Sequence, residues 1–356
     1  MANKYWAGGS GTWDATSTAH WSDSPTGIPT GASVPTNTDD VFFTSVSSAT
    51  SYAVDLDNSG GTLSCRSLSI SGPASGTLTF SNTGYGPYVY GDLTISATGV
   101  VASLATPVLF SATTATISTN NVPVDTVQIN GGGTFTLGSA FTGSLFIGSS
   151  NYPTFNTSNF NVTCPAIIGI FTTASGAGVT LNLGTSTLTF SGLASSFIAT
   201  NASSVSAASA TFVMSGTNTN FNGNGFSYGT FTHSGVSKTT TISGSNTFAT
   251  ISNTVQPCTF NFTSGKTQTV TNFTVNGTSG NLVTIQSSSS GSASTLSKAS
   301  GTVNSDYLSI TDSTATGGAA WYAGANSTNG GNNTGWIFTA SPSTSTGFLG
   351  LLLRKR

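Results

Sequence analysis

Side chains able to do acid–base chemistry are few in this 356-residue sequence, and they are unevenly placed. All ten carboxylates are aspartates, and none falls between Asp125 and Asp306. Glycoside hydrolysis generally needs two carboxylates flanking the bond, and a calcium site needs several oxygen donors in one place. Two local pairs come into question, Asp39-Asp40 and Asp55/Asp57. Neighbours along a strand point to opposite faces, so the first pair diverges. In VDLDN the two-residue spacing sets Asp55 and Asp57 on one face, where a weak Ca²⁺ or catalytic site is conceivable, although solvated surface is the usual place for such residues. His20 and His233 lack the serine and aspartate companions of a triad. GGSGTWD and GYGPYVYG lack the lysine and following helix of a phosphate-binding loop. Cys65, Cys164 and Cys258 form no C-x-x-C pair and are expected as buried free thiols. No catalytic residue, metal site or cofactor is assigned.

Binding chemistry is better represented. NTGYGPYVYGD carries Tyr85, Tyr88 and Tyr90 beside Asp92, and TNTNFNGNGFSYG displays Phe221, Phe226 and Tyr228 around Asn-Gly turns. Aromatic faces with polar neighbours suit sugar rings, so these six residues are the candidate glycan-binding groups; the same alternation also fits a packed ladder. Thr-x-Thr pairs recur at Thr77/Thr79, Thr134/Thr136, Thr187/Thr189, Thr230/Thr232 and Thr239/Thr241. Their sequence separations are irregular, which predicts no continuous threonine lattice.

The elements that must position these groups are strands. Segments such as SLSISG (67–72), TLTFSN (77–82), TFTLGS (134–139), TLTFSG (187–192), TFTHSG (230–235) and TFNFTSG (259–265) alternate large apolar residues with Ser or Thr. Period two puts the apolar side chains on one face and the hydroxyls on the other. Helical periodicity is lacking, and the abundance of Gly, Ser, Thr and Asn disfavours helices. The fold class is all-β, with an elongated parallel β-solenoid favoured over tandem β-sandwiches because nothing divides the recurrence into two domains. Phe80, Phe190, Phe212, Phe231, Phe260, Phe262 and Phe273 suit an inner stack, and coils of about 20 to 25 residues are expected.

Composition narrows the partners. Hydrophobic residues at 36% can build a core, whereas charged residues at 5% leave solubility to hydroxyls and amides. A net charge of −2, with Lys and Arg scattered except for Arg354-Lys355-Arg356 at the terminus, lacks the basic face that nucleic acid requires. GFLGLLL near the C-terminus is far shorter than a membrane span, and the N-terminus has no apolar core of a Sec signal peptide.

The five tryptophans sit at the two ends: Trp6, Trp13 and Trp21, then Trp321 and Trp336. A solenoid exposes an unfinished core and open strand edges at each end, so these rings are expected to cap it. The expected division is an N-terminal cap over 1–45, a solenoid over 46–304, a C-terminal cap over 305–340 and a flexible tail over 341–356. The opening NKYWAGGSGTWD with AHWSD and VPTNTDDVFF, and the closing YLSITDSTATGGAAWYAGANSTNGGNNTGWIF, resemble the flanks of Ser/Thr/Gly/Asn-rich β-helix proteins of tailed phages and environmental bacterial surfaces. The resemblance covers the two ends, and the middle is similar in composition. It implies a non-enzymatic structural or adhesive protein located on a virion or an extracellular surface. Its partners would be other virion or surface proteins and host-surface glycan, with homo-oligomerisation left open. The missing Sec signal favours the phage over a bacterial adhesin. Many β-helix proteins cut polysaccharides, which keeps an enzyme as the contrasting expectation.

Overall fold

A computed structural model of the chain describes residues 1–82, 86–96, 100–103, 106–148, 151–165, 178–200 and 202–342. Regular elements among these residues are strands, stacked as a parallel β-solenoid of about 11 turns. The alternation seen in sequence is what builds it. In Ser67–Ile70, Thr134–Leu137, Thr187–Phe190 and Cys258–Phe262 the apolar residues are buried and the intervening Ser, Thr and Asn lie at the surface.

Apart from Trp21–Ser22, which pairs antiparallel with Asn3–Trp6, pairing joins strands to their counterparts on neighbouring coils, not to their sequence neighbours. One sheet runs through Ser196–Ile198, Thr219–Asn222, Thr239–Ser243, Cys258–Phe262, Val283–Ser287, Leu308–Thr311 and Thr328–Asn329. Another runs through Ser64–Cys65, Tyr88–Val89, Val108–Leu109, Thr126–Ile129 and Ser144–Ile147. Every pairing within both is parallel, which hairpin-built sandwiches could not supply. Side-chain bonds between adjacent coils span 20 residues at Thr232–Ser252 and 26 at Asn159–Thr185, so coil length varies while the sheets stay in register.

That register revises the expectation about threonine. Thr134 and Thr136 lie beside Thr114 and Thr116, and Thr187 aligns through Thr211 and Thr230 to Thr250. Irregular sequence spacing arises in the corners between strands, whereas the strands themselves align. Outward Thr, Ser and Asn therefore stand in columns across successive coils, with Asn156, Asn182 and Val213 breaking the runs of hydroxyls.

Inside, the expected phenylalanine stack is present, all seven rings being buried. Phe197, Phe212, Phe221 and Tyr228 meet at centroid distances of 4.9 to 5.9 Å, mostly edge to face. Parallel pairing also crosses the boundaries drawn at residues 45 and 304. Asp40–Phe43 pairs with Ser67–Ile70, Gly11–Trp13 with Tyr52–Leu56, and Thr302–Asn304 with Ala320–Tyr322 and, through it, Trp336–Ile337. The tryptophan-rich ends are thus coils of the same stack. From residue 343 the tail lies outside the described residues.

At the first coil Trp21 packs edge-on against Trp6 and Trp13, each 5.3 Å away, with Phe43 beneath. Trp6 donates its indole N–H to the Gly9 carbonyl at 2.7 Å, and His20 stacks on its ring at 4.8 Å. Gly11 is required by that stack, since a Cβ there would stand 2.2 Å from His20 Nε2. At the last coil Trp321 and Trp336 pair in register, 5.2 Å apart, over Phe273. The N-N-x-G-W stretch locks this coil: Asn333 accepts the Ser313 N–H at 2.9 Å, and Asn332 donates to Asp312 at 2.6 Å. Gly335, at φ +78°, approaches the Ala315 carbonyl too closely for any side chain.

Candidate functional site

The two aromatic candidates part company. Strands Thr219–Asn222 and Ser227–His233 turn their alternate residues inward, which buries Phe221 completely and leaves Tyr228 only 2% exposed. Tyr228 donates its hydroxyl to the Gly223 carbonyl at 2.6 Å. Burial drives its phenol far upward, beyond any physiological titration. Phe226 packs partly buried against the same core. Phe221 and Tyr228 therefore lie in the core, a correction to their reading as glycan-binding groups, while Phe226 stays partly exposed; Asn-Gly marks the turn correctly, but Phe221 and Tyr228 beside it anchor the turn.

Tyr88 and Tyr90 instead face outward. Within Tyr88–Val89 and its continuation the inward position is Val89, so its neighbours on either side point to solvent, Tyr90 being 38% exposed. The next coil brings Phe110 onto them, its ring 4.8 Å from Tyr88 and 5.9 Å from Tyr90, the latter pair stacked at 27°. Phe110 N–H bonds the Val89 carbonyl at 2.8 Å, which fixes the register. Tyr85 lies outside the described residues. Phe110 was not legible as a partner, because PVLF does not alternate.

Polar groups border the rings. On the following coil Gln128 donates its amide to Asn130 at 3.0 Å, and the Asn130 amide lies beside the Gly148 carbonyl. On the preceding coil Arg66 pairs with Asp40, and Tyr90 N–H bonds the Cys65 carbonyl at 3.0 Å. The result is an outward aromatic row with an amide pair on one side and an ion-paired guanidinium on the other. Such a row can stack on a sugar ring and satisfy its hydroxyls.

Several aspartates serve as acceptors in turns. Asp14 accepts from Thr16 and Ser17, whose bonds hold its carboxyl below the ordinary value. Asp39 binds the Ala2 and Thr36 N–H groups, Asp306 those of Tyr307 and Asn326, and these bonds outweigh the upward push of burial. Asp55 points outward from its strand and accepts from Ser81 at 3.1 Å. Asp57 falls beyond the strand end, and bonds from the side chain and backbone of Ser59 hold its carboxyl below the ordinary value. Among the described residues no three His, Cys, Asp or Glu side chains are grouped to hold a metal.

His233 is fully buried; it accepts the Gly235 N–H at 3.2 Å, and burial pushes its imidazole down to about 4. All three cysteines are buried and free. Burial raises each thiol, that of Cys258 to about 12. Among the described residues no helix is long and apolar enough to cross a membrane.

Compared with known proteins, the chain matches no protein-family model, no curated protein and no solved structure.

Proposed function

We propose that this protein is a non-enzymatic structural and adhesive rod of a phage virion, a tail-fibre, tailspike-like or decoration component. In this reading it contacts a neutral glycan of the host surface through Tyr88, Tyr90 and Phe110. The observation that carries the binding is the outward aromatic row with its bordering amides, set on a parallel sheet. The structural role is supported by a continuous stack closed by tryptophans and by aspartates engaged as turn acceptors. The virion location rests on the resemblance of the two ends.

Titrating the protein with neutral polysaccharide fragments tests the binding. Tyr88→Ser together with Tyr90→Ser should weaken it by about tenfold or more, as stacking contributes about 0.5–1.5 kcal/mol per ring beyond buried area. Binding that is unchanged in the folded double variant, or that collapses on adding salt, overturns this reading. Release of new reducing ends from the glycan would replace it with an enzyme. Antibody labelling of purified virions, against labelling of cell surfaces, separates the phage component from a bacterial adhesin.

A further inference from the structure

The aligned columns of Thr, Ser and Asn form a second surface, distinct from the aromatic row. Five successive coils align Thr114, Thr134, Thr154, Thr180 and Ser204 in one column. Two residues along each strand, a second column aligns Thr116, Thr136, Asn156, Asn182 and Ser206. Parallel strands repeat at about 4.8 Å and two residues span about 6.6 Å, so the ten side chains make a grid roughly 19 Å by 7 Å, with a register shift between Val179 and Thr180 where the last coil joins. None is charged or aromatic, and all lie at the surface. Among the described residues no protein partner engages their hydroxyl or amide groups, unlike the adjacent face, where Thr232 and Ser252 bond each other and Val213 interrupts the column.

Such a face is poorly suited to a protein partner. Exchanging a hydroxyl's water for a protein group gains little, and the grid offers no apolar anchor. A sugar surface is normally held by aromatic stacking, which the grid lacks. The grid suits a partner that is itself a periodic, uncharged array of donors and acceptors, met at many points at once. Threonine adds a methyl beside each hydroxyl, which rewards ordered water around it.

We propose that the Thr114–Ser206 face is an ice-binding surface, recognising the ordered water lattice of an ice crystal. The proposal is independent of the glycan reading, whose residues lie on another sheet. Its test is the growth of ice crystals in the presence of the full chain, with an uncharged polymer of equal mass as control. The chain should slow recrystallisation and label ice when carrying a fluorophore. Thr134→Lys with Thr154→Lys should require at least about tenfold more protein for the same effect. Thr259→Lys, on the sheet containing Cys258–Phe262, should leave the effect intact. Retained β-sheet circular dichroism shows that the variants fold. If they do not, Thr134→Ser with Thr154→Ser, which keeps the hydroxyls and removes the methyls, should weaken the effect. The proposal is overturned if the wild-type chain behaves as the polymer control, if folded lysine variants match it, or if the chain ignores ice and binds crystalline cellulose.

Discussion

At the scale of single residues, burial without full pairing is what a change of pH would expose. His233 Nε2 has no hydrogen-bond partner, and the imidazole is held neutral by burial with a pKa near 4, against about 6.5 when unfolded. The unfolded chain therefore binds a proton first as pH falls. Stability contributed by the neutral ring is complete above about pH 6.5 and declines between there and 4, by a total on the order of 3 kcal/mol. Denaturant titrations across that window should show the loss, and His233→Gln should flatten it. The lowered aspartates act at more acidic pH, below their ordinary value of 3.8. Cys65, Cys164 and Cys258 should resist a thiol reagent until the rod unfolds, because the thiolate is suppressed and the sulfur unreachable. Rapid labelling of the native protein would contradict their burial.

At the scale of elements, the corners between strands carry the polar bonds that hold coil to coil. Asn246 is buried, donates to the Ser243 carbonyl at 2.9 Å and to Gln268 at 3.0 Å, and accepts from Gly225 at 3.1 Å. Gln268, also buried, donates onward to the Gly244 carbonyl at 2.7 Å. Three consecutive coils are tied by this amide pair. Asn246→Ala strands the groups left behind and should cost about 1–3 kcal/mol, read from chemical denaturation. Asn246→Ala with Gln268→Leu should cost less than the sum of the single changes, because removing both partners leaves fewer buried groups unpaired. Strict additivity would mean the two amides do not act together.

At the scale of the whole molecule, each coil is stabilised by its two neighbours, and the end coils have only one. Trp6, Trp13 and Trp21 at one end and Trp321 with Trp336 at the other supply the missing buried surface. Trp13→Ala or Trp336→Ala should cost about 3–5 kcal/mol, expressed first as fraying of the adjacent coils and as end-to-end association through exposed strand edges. Hydrogen exchange should show protection lost near the altered end and kept at the other. A monodisperse variant with unchanged melting and uniform protection would remove the capping role.

Much of this architecture was legible in the sequence. Alternation in segments such as TLTFSG fixes which residues face inward, because the strand period is two and only one face can be dry. Tryptophans confined to the ends mark where an open stack must be closed. The aromatic candidates were separable only in three dimensions: Tyr90 and Tyr228 both follow Gly-rich or Asn-Gly turns, yet one faces solvent and the other the core. Local sequence does not say on which face a turn leaves its first residue. Phe110 joined the row by stacking one coil over Tyr88 and Tyr90. The aligned columns of Thr, Ser and Asn were hidden for the same reason, since corner lengths vary freely in sequence while hydrogen bonding between parallel strands imposes one spacing in space. Alternation set the strands and their inward faces; lateral pairing between coils, which depends on contacts 20 or more residues apart, set which outward side chains became neighbours.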